Sequence, residues 1–542
     1  MDDRSGAFDT SNADSGLPDG GAADAEAYQQ VAELLHAPLS LQHVSVRGLA
    51  RTRPEFVQVI LEKSLHFGLP NGQSNGEAVS TAANLNDTID SLTLAAERLR
   101  KTDCFRGVDV YVDEGVCAED GNGTVSSTGI TCCDATFTVH EVRPYRLQVG
   151  TSVESATGES ALEIGGSFLN VFGAGESVQG TAGLGFGGRA GDWTTGLGGL
   201  AALFGSGHRV YGDVRASNQL QVEVRKPYPL GVMDTFASLR LTNALLNRMS
   251  TSSYCEFQRG LETALEGTLG RIGYECTWRD LGKVGAHASM PVREQAGHSV
   301  KSAVHYAWEQ DVRDDSVIPA DGSYCRVFAE VSGLGGDPLT RYVKGECEYQ
   351  WHTQLAAVRV VPPTMAGTAG DVDDEDAAAP SWAAALSPVL SLGARMGAMA
   401  PVWRSPAERG TRISDRFFVG GPANCFRGFR NHGLGPTAGD DAIGGDAYYK
   451  GTAMLSVPLA VNELARSLGL RAHAFVTAGD CRGLHEPFNA WTVGWRSAAG
   501  VGLALSTVFG RLEINWNKVF RSAAGDQVDD GFTLALSKTF GA

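Results

Sequence analysis

The chain has 542 residues and a formal net charge of −17, from 62 acidic and 45 basic residues. This acidic balance argues against a nucleic-acid-binding protein, which would need a basic face. Glycine accounts for 68 residues that follow no three-residue period, which excludes collagen and simple linkers and, among many short strands, favours closed β architecture.

Residues 1–27, beginning MDDRSGAFDTSNADSG, are acidic and poor in large apolar side chains. Their composition predicts a largely disordered tail over residues 1–38. The stretch lacks both the charged-then-apolar layout of a secretory signal and the arginine-rich look of a transit peptide. The sequence contains no apolar run long enough for a transmembrane helix, so a place in a membrane would require a closed barrel.

Residues 39–143 predict a compact α+β domain. The segment LSLQHVSVRGL predicts a strand, and helices are predicted from Pro54 to Leu65 and from about Asp87 to Thr102. Strands in GVDVYVDEG and ATFTVHEV follow. One face of the second helix carries its apolar residues at helical spacing, namely Ile89, Leu92, Ala96 and Leu99.

Residues 144–542 alternate apolar and polar side chains in segment after segment. In RLEINWN, for example, Leu512, Ile514 and Trp516 alternate with polar residues. A soluble β-sandwich shows the same alternation, because its strands also bury one face. The length decides between the two, since it accommodates about 16 transmembrane strands of about 9–11 residues with their turns. We therefore predict a mainly β protein, a 16-stranded antiparallel transmembrane β-barrel whose polar face lines the lumen.

Neither the cysteines nor the short motifs indicate catalysis. The ten cysteines are scattered, with no C-x-x-C and no histidines at zinc spacing, so unpaired small apolar residues are favoured over a metal or redox site. A disulfide among Cys104, Cys117, Cys132 and Cys133 stays open. The chain has no GxSxG, P-loop or H-E-x-x-H motif, and we expect no enzyme activity, no cofactor and no metal.

Several short segments resemble the outer-membrane β-barrel assembly family, whose bacterial member is BamA. They are RFFVGG at 416–421, FRGF at 426–429, GLGP at 433–436 and DDAIGGDAYY at 440–449. The end of the chain is similar to the last strands of the mitochondrial branch, the barrel subunit of the sorting and assembly machinery. Residues 39–143 resemble a single POTRA domain, and having one such domain favours that branch. This resemblance gives the boundaries 1–38 for the tail, 39–143 for the POTRA domain and 144–542 for the barrel.

The resemblance implies that FRGF is the tip of a long sixth loop, about residues 398–444, which folds back into the lumen. Its residues are Phe426, Arg427, Gly428 and Phe429. The arginine would act as an internal strut, because a guanidinium offers five donors in a rigid fork. Met454 and Thr477 stand where the bacterial pattern of the family has the acidic partners of this arginine. The candidate partners are therefore three nearby carboxylates, Asp415, Asp446 and Asp480.

The resemblance also implies a β-signal in the last strand and a lateral gate beside it. The signal residues, which also form the last-strand side of the gate, are Asp529, Gly531, Leu534, Leu536 and Phe540. The residues on the first strand, which begins at Tyr145, are Tyr145, Leu147, Val149 and Gly150. An edge strand offers unpaired N–H and C=O groups that an incoming strand can satisfy.

The function implied by the resemblance is that of an insertase, which folds β-barrel precursors into the mitochondrial outer membrane. Its partners would be those precursors, accessory subunits of the sorting and assembly complex, and outer-membrane lipid. The POTRA domain and both termini would face the intermembrane space. Two alternatives stay open: an outer-membrane pore whose seam never opens, against which the POTRA-like domain argues, and a soluble all-β enzyme with buried apolar faces.

Overall fold

The computed structural model describes residues 38–65, 83–115, 131–153, 160–185, 217–334, 337–355, 387–402, 410–421, 426–459, 465, 467–483, 494–507 and 510–537. Residues 1–37 of the predicted tail lie outside the described residues, as do Cys117, Cys425 and Phe540. Pro38, the last residue of the predicted tail, begins the first strand. Within the described ranges, every helix is too short or too polar to cross a bilayer. The chain divides into two compact units, one up to Arg143 with Phe172–Gly175, the other formed by Pro144–Val171 and Glu176–Ala542.

The first unit is an α+β domain with a mixed four-stranded sheet. Its elements are β1 Pro38–Arg47, α1 Pro54–Leu65, β2 Ala83–Asn84, α2 Leu85–Arg100, β3 Phe105–Glu114 and β4 Thr131–Glu141. The sheet order is β2-β1-β4-β3, with β1 and β4 parallel and the other pairs antiparallel. The predicted strand-helix-helix-strand-strand order is confirmed. The second helix begins and ends about two residues before its predicted bounds, and Ile89 of its apolar face is exposed.

Glu141, at the end of β4, binds the turn that leads into α1. Its carboxylate accepts hydrogen bonds from the backbone N–H groups of Ala50, Arg51 and Thr52, at 2.9 to 3.1 Å. We call Ala50–Thr52 the carboxylate-bound turn. Burial alone would raise the pKa of Glu141, but these donors stabilise its charged form and lower the pKa to about 2. Ionised Glu141 therefore stabilises the start of the domain.

The cysteines of this unit differ in state. Cys132 is disulfide-bonded, whereas Cys104 and Cys133 are buried thiols. Of the four positions left open by the sequence, two are therefore thiols and one is in a disulfide. The fourth, Cys117, lies outside the described residues.

The second unit is a 16-stranded antiparallel sheet in which consecutive strands pair. Its strands are β5 Tyr145–Val153, β6 Ser160–Leu169, β7 Ser177–Gly185, β8 Asn218–Pro227, β9 Phe236–Arg248, β10 Tyr254–Gly267, β11 Gly270–Val284, β12 Gly297–Asp311, β13 Gly322–Ser332, β14 Tyr342–Gln354, β15 Val389–Pro401, β18 Ala447–Pro458, β19 Arg471–Arg482, β20 Arg496–Thr507, β21 Gly510–Arg521 and β22 Gly531–Ser537. A short hairpin, β16 Thr437–Ala438 with β17 Asp441–Ala442, lies between β15 and β18. Short helices α3 Met249–Ser252 and α4 Met290–Glu294, and 3₁₀ turns Pro229–Gly231, Pro338–Thr340 and Ile413–Asp415, occupy connections.

The polarity of this sheet is the reverse of that of a soluble protein. On β21 the polar residues Glu513 and Asn515 are buried, at 3% and 0% exposure, while Ile514 and Trp516 are 48% and 46% exposed. A soluble sandwich would bury the apolar face of such a strand. Polar inner faces and apolar outer faces are typical of transmembrane barrels. The prediction of a 16-stranded transmembrane barrel is confirmed, and the soluble alternative is wrong.

The two rims of the barrel follow from the strand directions. We call the rim where β5 begins the proximal rim and the other the distal rim. Because neighbouring strands run antiparallel, connections alternate between the rims. The turn between β12 and β13 therefore lies at the proximal rim, and the long connection between β15 and β18 starts and ends at the distal rim.

Candidate functional site

The connection between β15 and β18 packs onto the inner face of the sheet. Its residues Phe417, Val419, Phe426, Phe429 and Leu434 share one apolar cluster with residues of the wall. The wall contributes Tyr342, Met399, Tyr448, Cys481 and Ala498. Since Met399 of the wall is fully buried while its strand neighbours Ala398 and Ala400 are exposed, this cluster lies inside the barrel. The segment Phe426–Phe429, which we call the loop tip, is therefore in the lumen.

Arg427 of the loop tip forms a bidentate ion pair with Glu513 of β21. Its Nε lies 3.2 Å from Oε2, and its Nη2 lies 3.1 and 3.0 Å from the two carboxylate oxygens. The guanidinium also lies over the ring of Phe475, 5.0 Å from its centroid. Glu513 additionally accepts hydrogen bonds from Arg511 at 2.6 Å and from Asn515 at 2.9 Å. Both partners are at most 4% exposed, and a bidentate pair of this kind fixes position as well as charge.

The prediction that Asp415, Asp446 or Asp480 would pair with Arg427 is wrong. Each of these carboxylates already faces another guanidinium, so the charge of Arg427 is balanced by Glu513 instead. Their partners are Arg279 for Asp415, Arg416 for Asp446, and Arg482 and Arg496 for Asp480. The alternation of RLEINWN placed Glu513 on the polar face, and that signal could have included it among the candidates.

Small residues on β20 make room for this ion pair. A methyl group at Gly502 would lie 2.2 Å from Oδ1 of Asn515 and 2.9 Å from Nε2 of His473. The same atoms of Asn515 and His473 are hydrogen-bonded at 2.7 Å. Asn515 in turn donates to Glu513, so the carboxylate is held in place through β19, β20 and β21. The ion pair is thus part of an ordered polar network rather than a single contact.

The loop tip is also bonded to the chain that enters the last strand. The backbone N–H of Asp529 donates to the carbonyl of Gly428 at 2.8 Å, and that of Arg430 donates to the carbonyl of Gln527 at 2.9 Å. Gly428 has a φ of +89°, and a methyl group there would lie 3.0 Å from the side chains of Ala498 and Val519. Only glycine combines this backbone conformation with such a close approach at low cost. The tip therefore holds the residues just before β22.

A second part of the connection between β15 and β18, at Asp415, is bonded to polar and charged side chains on a different part of the inner wall. Oδ1 of Asp415 accepts from Nη1 of Arg279 at 2.7 Å and from the hydroxyl of Tyr342 at 3.0 Å. Lys344 donates to the backbone carbonyl of Asp415 at 3.1 Å. These partners lie on β11 and β14, whereas Glu513 lies on β21. The connection is thus bonded to two separate parts of the inner wall.

The edge strands β5 and β22 carry the predicted gate residues. Tyr145, Leu147 and Val149 of β5 are 59%, 81% and 66% exposed, and Phe532 and Leu534 of β22 are 83% and 65% exposed. Gly150 lies further along β5, and Leu536 of the signal is half-buried. The Cα atoms of the two edge strands approach within 8 Å. Among the described residues, however, β5 pairs with β6 and β22 with β21, and the two edges are not joined by backbone pairing.

The described residues contain no group of three or more His, Cys, Asp or Glu side chains that could hold a metal ion. The buried charged groups nearest the loop tip are instead used in ion pairs. What this arrangement supplies is a positioned loop and two edge strands that, in the described part of the chain, are not paired with each other.

Comparisons with known proteins agree with this architecture. The Omp85 superfamily domain matches residues 170–540. The chain is 27% identical over 532 residues to the sorting and assembly machinery component 50 homolog of Mus musculus, a match that covers 95% of this chain and 93% of that protein. It is 26% identical over 529 residues to the Homo sapiens homolog, with the same coverage of both chains.

Among solved structures, BamA from Haemophilus ducreyi lacking POTRA domains 1–3 matches with a TM-score of 0.61 and 15% identity, over 92% of this chain and 84% of that one. This likeness concerns the fold alone. The family match is stronger evidence, because it takes in most of the barrel, including the loop tip, Glu513 and β22. With its reversed sheet polarity and inward-folded connection, the chain belongs to the Omp85 superfamily.

Proposed function

We propose that this protein folds β-barrel precursors and inserts them into the mitochondrial outer membrane. The relatives that match it over nearly their whole length are named as components of the sorting and assembly machinery. The observation that carries the mechanism is the pair of edge strands, β5 and β22, which lie close to each other without backbone pairing among the described residues.

The proposed mechanism needs no covalent step. The unpaired N–H and C=O groups of β5 bind the β-signal strand of a precursor by β-augmentation. Backbone pairing accepts many sequences, which suits a machine with many substrates. Specificity comes from the signal's glycine and apolar residues, which meet outward-facing side chains such as Leu147 and Val149.

In this mechanism the last strand, β22, is the element that moves away from β5. It pairs with β21 over seven positions, from Asn517–Gly531 to Arg511–Ser537, and the loop tip bonds the residues before it. The tip therefore holds the residues before Gly531 in place while β22 itself separates from β5. A precursor strand then enters between them.

The partners and topology that follow are those of the sorting and assembly complex. The protein would bind precursor proteins, accessory subunits and outer-membrane lipid. The N-terminal POTRA-like domain and both termini would lie in the intermembrane space. An open pore is disfavoured because the connection between β15 and β18 packs inside the lumen.

Site-directed disulfide trapping tests this proposal. Single cysteines at Arg146, Gln148 and Gly150 are paired with cysteines along the β-signal strand of a radiolabelled precursor in isolated mitochondria. In the background chain, the half-buried free thiols Cys276, Cys325 and Cys347 are replaced by serine. Crosslinks that follow strand register are expected, because paired strands bring specific residues opposite each other.

Two controls separate the insertase from the pore. A precursor whose signal glycine and apolar residues are substituted should lose the crosslinks. A cysteine at Gln258 on β10, which is paired on both sides, should not crosslink. If no register-specific crosslink forms, and if a disulfide between β5 and β22 leaves import unchanged, the seam does not open and the insertase proposal is wrong.

A further inference from the structure

The turn between β12 and β13, Val312–Asp321, folds into the lumen from the proximal rim. We call it the proximal turn. Its residues Ile318 and Ala320 are 6% and 7% exposed, although an ordinary barrel turn at this rim is short and lies in water. By contrast, Leu230 in the turn between β8 and β9, at the same rim, is fully exposed. The burial of Ile318 shows that the proximal turn is packed against other parts of the barrel.

The groups that cover the proximal turn come from distant strands. Arg471, the first residue of β19, donates from Nη1 to the carbonyl of Pro319 at 3.2 Å. A methyl group at Gly469 would lie 3.4 Å from Cδ1 of Ile318. In the sheet order, β14, β15 and β18 separate β13 from β19. The turn therefore reaches across the interior rather than along the wall.

Two aspartates hold the proximal turn in this shape. Oδ1 of Asp314 accepts from the N–H groups of Ala320 and Asp321 at 2.9 and 3.2 Å. Oδ1 of Asp315 accepts from the N–H of Val317 at 2.7 Å. Such side-chain to backbone bonds satisfy the donors that a turn leaves unpaired. The turn is therefore ordered rather than a loose loop at the rim.

The proximal turn and the loop tip meet at one carboxylate. Nη1 of Arg511 lies 3.5 Å from the carbonyl of Val317, while its Nε donates to Oε1 of Glu513 at 2.6 Å. The same Glu513 binds Arg427 of the loop tip from the distal side. Arg511 is 3% exposed. Connections from opposite rims are thus linked through two arginines and one glutamate.

We propose that the proximal turn is a second plug of the lumen and that Arg511 is a positioning residue, which links this plug to the loop tip through Glu513. With the loop tip inside from one rim and the proximal turn inside from the other, the resting barrel conducts ions poorly. Removing the plug opens the lumen and also loosens the loop tip. The inference concerns the lumen and does not depend on the insertase proposal.

The first test measures ion conductance in planar lipid bilayers. Residues Val317–Ala320 of the full chain are replaced by Gly-Ser-Gly-Ser, which removes the buried Ile318 but keeps the length. The matched control replaces Pro229–Val232, an exposed turn at the same rim, in the same way. We expect a severalfold rise in conductance for the first variant and wild-type conductance for the control. If the first variant keeps its folded electrophoretic migration and has wild-type conductance, the proximal turn does not block the lumen and the inference is wrong.

The second test measures the link to the loop tip and keeps the inference falsifiable if the replacement prevents folding. Amide hydrogen exchange at Asp529 and Arg430 is compared between the wild type and R511Q. The control R293Q removes an equal charge from an exposed side chain in a connection at the distal rim. We expect faster exchange in R511Q, restoration towards wild type in R511K, and no change in R293Q. Unchanged exchange in R511Q would refute the positioning role, and neither test involves a precursor.

Discussion

Replacing Glu513 by Gln tests whether the ion pair with Arg427 fixes the loop tip. The carboxylate is 3% exposed and contacts two buried guanidinium groups. Removing one partner of a buried pair costs about 3–5 kcal/mol, mainly because the remaining charge is left uncompensated. Gln keeps one oxygen acceptor, so we take the lower end, about 3 kcal/mol. Since about 1.4 kcal/mol corresponds to a factor of ten, protection of the tip should fall by about two orders of magnitude.

The assay is amide hydrogen exchange on the folded full chain. The informative N–H groups are those of Asp529 and Arg430, because they bond the tip to the residues before β22. E223Q is the matched control, since Glu223 of β8 also binds an arginine on the inner wall but lies far from the tip in the sheet order. If both amides of E513Q exchange at the wild-type rate, the hypothesis that the ion pair with Arg427 fixes the loop tip is wrong. Equal acceleration in the control would show that any lost ion pair loosens the barrel.

Three further predictions concern other contacts. At neutral pH, E141Q should speed amide hydrogen exchange in the carboxylate-bound turn by about two orders of magnitude. The reason is that a pKa lowered from 4.5 to about 2 corresponds to about 3 kcal/mol of stabilisation by the ionised carboxylate. Because only the ionised carboxylate gives this stabilisation, the difference in exchange rate between E141Q and the wild type should shrink as the pH falls from about 4.5 to about 2. A difference that stays constant over this pH range would contradict this cause. Gly428→Ala should destabilise tip docking by about 1–3 kcal/mol, because its φ is +89° and the added methyl group would lie 3.0 Å from the side chains of Ala498 and Val519; the readout is easier proteolysis of the loop. Gly439→Ala also has a positive φ, +63°, but open space around its Cβ, and should change proteolysis less. T533V should speed exchange throughout β22 by about tenfold, because Asn517 loses its 2.8 Å bond to this hydroxyl; unchanged exchange would show that the bond adds nothing.

The barrel could be predicted because its signal is local and repeated. Alternation places Ile514 outside and Glu513 inside without any knowledge of the neighbours, and summing such segments over the length gives the strand number. The first helix has the bounds predicted for it, Pro54–Leu65. Patterns with a fixed period therefore carried most of the fold.

The partner of Arg427 could not be predicted in this way. Glu513 is 86 positions away in sequence, and the family pattern directed attention to β18 and β19 instead of β21. Asp415, Asp446 and Asp480 are closer to Arg427 in the sequence than Glu513 is. Their charges are already neutralised by Arg279, Arg416 and Arg496, respectively. Which charges meet inside a barrel depends on its curvature, and alternation alone does not encode it.

The proximal turn was missed for a related reason. VRDDSVIPADG is rich in Asp, Pro and Gly and has the composition of any exposed turn. The backbone carbonyls of this turn contact Arg471 and Arg511, which belong to strands much later in the chain. The adjacent Val317 and Ile318 were the local sign, and such a short apolar pair in a turn does not by itself indicate an inward fold.

The position of the loop tip in the chain sets the order in which the protein itself can be built. Phe475, Ala498 and Glu513, which surround the tip, all lie C-terminal to it. While the chain is being assembled, Arg427 must therefore stay hydrated until β21 arrives with its carboxylate. Docking of the tip through this ion pair therefore cannot precede the placement of β21 in the sheet.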